Sequence, residues 1–195
     1  MATRVSSDLS LTLVASFLAR LAEKAEARGL SDEDFRGDDL ADKIVDLLAD
    51  GRKTVNGHPV AVDYRQSLRA MIAAGRYDWA NSDITEKHFS VKPGPAEIVI
   101  ELVHFDHVMS SDGALSELDR KGLRPATLPE LLAFGAKYKE RQREFPIVAL
   151  GSVWRSWSDD RLVPYLSSCA GGRDLGLGWL AGRWVERYRF AAVRK

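Results

Sequence analysis

The residues best suited to metal chemistry form one run, His104-Phe105-Asp106-His107. Two-residue alternation puts His104 and Asp106 on one strand face, and His107 follows where the strand ends. A metal centre needs three or four convergent ligands held by further hydrogen bonds. This run reads instead as a strand-end histidine beside a turn aspartate, and no metal is expected. The single cysteine, Cys169, lies in a Ser/Gly-rich stretch with Arg173 nearby. A neighbouring guanidinium would favour the thiolate. No histidine base lies in that segment, so no catalytic role is assigned. Gly171-Gly172-Arg173-Asp174 and Gly176-x-Gly178 have the glycine content of a phosphate cradle. Such cradles join a strand to a helix N-terminus, and these glycines fall among short strands. The acidic stretch from Ser31 to Asp39 lacks the regular oxygen spacing of a calcium loop. His58 and His88 belong to no ligand or catalytic motif in the sequence. The residues thus imply no catalytic group, no metal and no cofactor.

The tail from Leu166 to Lys195 carries a different signal. Leu175, Leu177, Trp179, Trp184, Tyr188 and Phe190 recur at spaced positions, as a buried frame requires. Between them sit residues of varied size and polarity: Ser168, Ala170, Gly176, Gly178, Ala181, Arg183, Val185 and Arg187. Strand alternation buries Leu175, Leu177 and Trp179 while Gly176 and Gly178 face outward. Each large buried side chain contributes about 1.5–3 kcal/mol, whereas outward substitutions usually change stability by less than about 0.5 kcal/mol. The eight interspersed residues therefore read as a ligand-binding face that changes without unfolding its frame. Arg183, Arg187 and Trp184 are the best anchors on it. Trp154 is expected in the core with Trp179, and Trp157, in a polar loop, is expected to be exposed.

The elements that would position this tail follow from periodicity. Asp8 can cap a helix with Leu11, Val14, Leu18 and Leu21 on one face, and a second helix is expected from about Asp38 to Asp50. Asn56-Gly57 is a hairpin signal weakened by Pro59. Asp63 can cap a third helix carrying Leu68, Met71 and Ile72 and closed by Gly75; Tyr77 and Trp79 follow as packing anchors. Beyond Pro93-Gly94-Pro95, residues 97–105 (EIVIELVHF) are the strongest strand. Ser111 opens a helix stopped by Gly122, and Thr127-Leu-Pro-Glu130 is a capping box for the next. Short strands follow Pro146, with a turn at Asp159-Asp160. The order is an α+β one, with a mainly helical segment over 1–80 and a second domain over 90–195.

Composition narrows the function classes. The chain has 195 residues with 28 Lys plus Arg against 28 Asp plus Glu. A net charge of zero gives no electrostatic footprint for nucleic acid. One cysteine excludes an internal disulfide. Leu9 to Leu18 is too short and too interrupted to span a bilayer, so no membrane insertion is expected. It also makes a poor signal peptide, which favours a cytoplasmic location.

Residues 114–136 (ALSELDRKGLRPATLPELLAFGA) resemble the two-helix segment of the C-type lectin-like fold, especially its formylglycine-generating-enzyme branch. Gly122, Arg124, Pro125, Thr127, Glu130 and Leu131 match that pattern in type and nearly in spacing. The ending YRFAAVRK resembles the closing strand of the same fold. The resemblance spans about residues 97–195, and it implies a C-type lectin-like domain preceded by an N-terminal helical segment. Within that fold the tail most resembles the variable proteins of diversity-generating retroelements. In that family error-prone reverse transcription at template adenines diversifies a C-terminal region, here 166–195. The resemblance implies a ligand-binding protein, not an enzyme, whose partner is a protein or surface molecule, with Ser168, Ala170, Gly176, Gly178, Ala181, Arg183, Val185 and Arg187 as the diversified positions. The N-terminal helices would pack on the domain or form a homo-oligomer. An enzyme of the oxidase branch is the alternative. Those oxidases hold copper with a cysteine pair, which a single cysteine does not supply, and His104, Asp106 and Cys169 would have to converge. A phage-like structural module is the third reading. The Glu-Pro-Asn type loop of calcium-dependent sugar binding is absent from the sequence.

Overall fold

The computed structural model describes residues 57–195. The helices expected near 8–29 and 38–50 lie outside the described residues, as does the Thr54-Val55 arm of the hairpin.

Two long strands organise the sheet. Residues 97–104 form β3, with Ile98 and Ile100 buried in the main core, as alternation predicts. Val103, on the opposite face, and Phe105, just past the strand, pack in a second cluster. The closing strand β11 (Arg189–Arg194) pairs antiparallel with β3. Outside β3 lies β1 (Gly57–Ala61), where Pro59 is tolerated because the strand is at the edge. On the other side of β11 run β6 (Ile147–Val148), β8 (Arg161–Cys169), β9 (Gly172–Trp179) and β2 (Trp79–Ala80). Among the described residues this makes a nine-stranded mixed sheet, with β5 (Leu123–Pro125) pairing β11 and β7 (Trp154–Arg155) pairing β8. A separate ladder joins β4 (Met109–Ser110) to β10 (Arg183–Trp184). The α+β class holds. Residues 57–80, expected with the helical segment, supply two strands of this sheet, so the sheet draws on residues well before 90.

The helices start one local signal away from two expected caps. α1 (Leu68–Gly75) is capped by Ser67, whose Oγ accepts from the Ala70 amide at 3.2 Å. Asp63 instead closes a tight turn with the Arg65 amide. Ser110, not Ser111, caps α2 (Ser111–Arg120), accepting from the Gly113 amide. α3 (Leu128–Lys137) opens on the expected capping box, in which the Thr127 amide donates to Glu130 Oε2 at 2.7 Å. Glu130 is 1% exposed and takes a two-pronged bond from Arg124, at 2.9 and 2.6 Å. A short turn of helix, α4 (Arg141–Glu144), leads into β6. Leu131, Leu132, Phe134, Leu166 and Leu175 meet in the main core, so α3 backs the β8–β9 hairpin directly.

Candidate recognition surface

The β8–β9 hairpin turns at Ala170 and Gly171, which both have positive φ, 48° and 83°. That geometry suits the right-handed twist of a hairpin. It is strained for most L-residues, so Ala170, although exposed, is a poor position for free substitution. Register fixes the two faces. Leu166 pairs with Leu175 and Ser168 with Arg173 on the core side. Ser168 is thus half-buried and points away from the expected face. The other face carries Tyr165 opposite Gly176, Val163 opposite Gly178 and Ser167 opposite Asp174.

Gly176 does not face solvent. It is buried, and a Cβ there would meet the Tyr165 ring at 2.7 Å. Gly178 lies beneath Trp184, where a Cβ would come within 2.9 Å of Cη2. These glycines are the floor on which aromatic rings lie, not displayed positions. Trp184 is 5% exposed and donates from Nε1 to Ser111 Oγ at 2.8 Å, so the expected anchor is frame. Tyr188 meets its ring edge-on at 5.1 Å. Trp179, expected in the core, is 67% exposed. It shares the side of Leu175 and Leu177 but lies at the strand end, beyond the core packed against them.

What results is a cavity of about 250 Å³ walled by Tyr165, Trp179, Trp184 and Tyr188, with Gly178 and Arg183 also lining it. Ala181 is exposed beside it, in a turn closed by the Gly182 amide on the Trp179 carbonyl. Val185 and Arg187 are exposed on the next loop. That loop is pinned from below: His104 Nε2 bonds the Glu186 carbonyl at 2.9 Å, and Arg189 donates to the carbonyls of 186, 187 and 188. Arg189 itself stacks 4.6 Å over the Phe145 ring. Five of the eight expected positions are thus exposed: Ala170 at the hairpin turn, Ala181 in the turn before β10, Arg183 in β10, and Val185 and Arg187 on the braced loop that follows.

Two aromatic residues outside the tail lie on this face of the sheet, and of them Tyr165 lines the cavity. Tyr165 is half-buried beside Tyr188, with ring centroids 6.4 Å apart. Burial, then the nearby Tyr188 and Asp174, push its phenol above the ordinary value. Alternation along 161–169, which puts Tyr165 with Val163, was the available signal. Trp79, expected as a packing anchor, is 53% exposed. It pairs with Asp174 across β2–β9, on the same face as Ser167. Only the long-range pairing of β2 brings it there, and no local pattern encodes that.

The chemically suggestive residues separate. His104 is spent on Glu186, and Asp106 pairs with His107 at 3.1 Å in full solvent. The hydrogen bond from His107 holds the Asp106 carboxyl below its usual range. Among the described residues no group of three His, Cys, Asp or Glu side chains is placed to hold a metal ion. Cys169 is exposed, but Arg173 turns away from it into the core. Arg173 donates to the carbonyls of Gly75 (2.5 Å), Gly135 (2.6 Å) and Lys139 (3.1 Å), and to Gln142 Oε1 (2.9 Å). It stacks over Tyr77 at 5.0 Å, and burial pulls its guanidinium pKa down. Trp157 is 88% exposed, with Lys87 over its ring. Among the described residues no helix is long and apolar enough to cross a membrane. No family model, curated protein or solved structure matches this chain.

Proposed function

We propose that this chain is a recognition protein: a C-type lectin-like scaffold that displays a diversified C-terminal surface, as a target protein of a diversity-generating retroelement. The observation that carries the reading is the division within residues 179–188. Trp184 is interred and hydrogen-bonded, Arg183 lines an aromatic cavity, and Ala181, Val185 and Arg187 are exposed in the turn and loop on either side of β10. Exposed side chains on braced turns change a contact surface with little effect on stability. Tyr, Trp and Arg are the residue types that carry most interface energy, and this cavity offers all three. The order of helix pair, mid-chain strands, Trp-rich segment and closing strand supports the scaffold assignment. The diversified set is narrower than the tail pattern suggests: Ala181, Arg183, Val185 and Arg187, with Gly176, Gly178 and Ala170 held by geometry.

Two measurements test this. The DNA beside the gene should hold a near-copy of the segment encoding 166–195 that differs mainly at adenines, close to a reverse transcriptase gene. Arg183→Ala and Arg187→Ala should each keep stability within about 0.5 kcal/mol of the parent, and a library randomised at the four exposed positions should yield folded binders to an arbitrary soluble protein. Absence of any near-copy, together with loss of folding in the library, overturns the reading.

A further inference from the structure

A second cavity lies away from the tail. It has a volume of about 240 Å³ and opens between residues 88–92, the start of α3 and residues 151–153. At about 30 Å³ per water it holds roughly eight waters, which suits a small ligand. The polar residues that line it are His88, Ser90, Lys92, Thr127 and Ser152. Among the described residues that line it there is no carboxylate. The nearby Glu130 is closed off under Arg124 and the Thr127 amide.

The imidazole is fixed on two sides. His88 stacks flat on Trp154, at 4.2 Å between centroids and 12° between planes. Its Nδ1 bonds the Asp83 carbonyl at 2.8 Å, so Nδ1 carries the proton and Nε2 is the nitrogen left for a ligand. Ser152 Oγ accepts from the Leu128 amide at 2.8 Å, which leaves its hydroxyl proton to donate. The helix amides themselves are taken by Ser152 and by the capping box, so the cavity's chemistry is that of its side chains.

We propose that this cavity binds a small phosphomonoester, with the Lys92 ammonium and the Ser90, Thr127 and Ser152 hydroxyls around the phosphoryl oxygens and His88 Nε2 facing the phosphoryl group. An ammonium with several hydroxyls suits a tetrahedral oxyanion. A planar carboxylate is matched best by an arginine fork, and none of the described residues lining the cavity is an arginine. His88 Nε2 accepts from the P–OH of a monoanion. Phe89 and Val153 give the ester's carbon side an apolar wall.

The test titrates the full chain with inorganic phosphate, with phosphoserine and with acetate, followed by calorimetry and by tryptophan emission, to which Trp154 reports through its stacked imidazole. The expected result is saturable one-to-one binding of phosphoserine at least as tight as that of phosphate, with acetate not competing. Lys92→Ala and His88→Phe should each weaken binding at least tenfold. The phenyl ring keeps the stack on Trp154, and Lys92 is exposed, so at least one variant stays folded. No saturable binding, binding of acetate or inorganic phosphate alone, or unchanged affinity in Lys92→Ala would overturn the proposal. None of these lining residues belongs to 166–195, so either outcome leaves the recognition surface untouched.

Discussion

Arg173→Met is the sharpest perturbation of the frame. Arg173 is 4% exposed and among the described residues its guanidinium has no carboxylate partner; its donors go to backbone carbonyls and one side-chain amide. Through them β9 is tied to the end of α1 (Gly75), to α3 (Gly135) and to α4 (Gln142). Gln142 extends the tie, donating from Nε2 to the carbonyls of Ser167 and Asp174 on the two hairpin strands. Methionine fills much of the volume but leaves Gly75 O, Gly135 O and Gln142 Oε1 without their donor. At about 1–3 kcal/mol for each buried acceptor, the gross loss is roughly 3–9 kcal/mol. Relief from burying a guanidinium returns several kcal/mol. The net expectation is a loss of about 3 kcal/mol, which for a chain of this size lowers Tm by about 6–12 °C. Circular-dichroism melts and urea titrations measure it. Hydrogen exchange should quicken first at the Ser167 and Asp174 amides, where the hairpin is clipped. Arg173→Lys should recover little, because one ammonium cannot reproduce a fork directed at Gly75 and Gly135. A methionine variant as stable as the parent would refute the clip, and with it the claim that the hairpin is held from behind rather than by its own ladder.

Two further outcomes follow from the same packing. Trp184→Ala should cost about 3–5 kcal/mol, and Gly178→Ala about 1–3 kcal/mol from overpacking against that indole; thermal melts that rank Arg183→Ala above either would reverse the assignment of frame and surface. Glu130 gives an acid-side prediction. Burial raises its pKa, but the Arg124 hydrogen bonds, the Thr127 amide and the Arg124 charge outweigh this and hold it below its ordinary value. A depressed carboxylate contributes stability above its unfolded value of about 4.3, and that contribution is lost as pH falls through the folded value. Glu130→Gln should therefore flatten the fall of stability below that pH, and an unchanged slope in urea titrations would count against it.

What the sequence made legible is what short-range physics controls. The 97–104 strand, the α3 capping box and the stop of α2 before Gly122 each rest on period or cap chemistry within a few residues. The tail's alternation of bulky residues with small and polar ones was legible too, but its geometry was not. Alternation predicted outward glycines at 176 and 178. It did place them opposite the face of Leu175, yet that face has its own cover, because Tyr165 and Trp184 fold over it. A glycine between large residues in a strand is thus ambiguous: it is either a displayed position or the seat of a ring from elsewhere, and only the cross-strand partner decides. The same logic explains Trp79 and Trp179. Both have the composition of core residues, and both are exposed because they sit at β2, the edge, and at the end of β9. A surface assembled from edge strands, turns and rings seated on glycine is built from pairings between distant segments. Its aromatic content can be read from the chain, while its outward face emerges only when β2, β8, β9 and β10 are brought side by side.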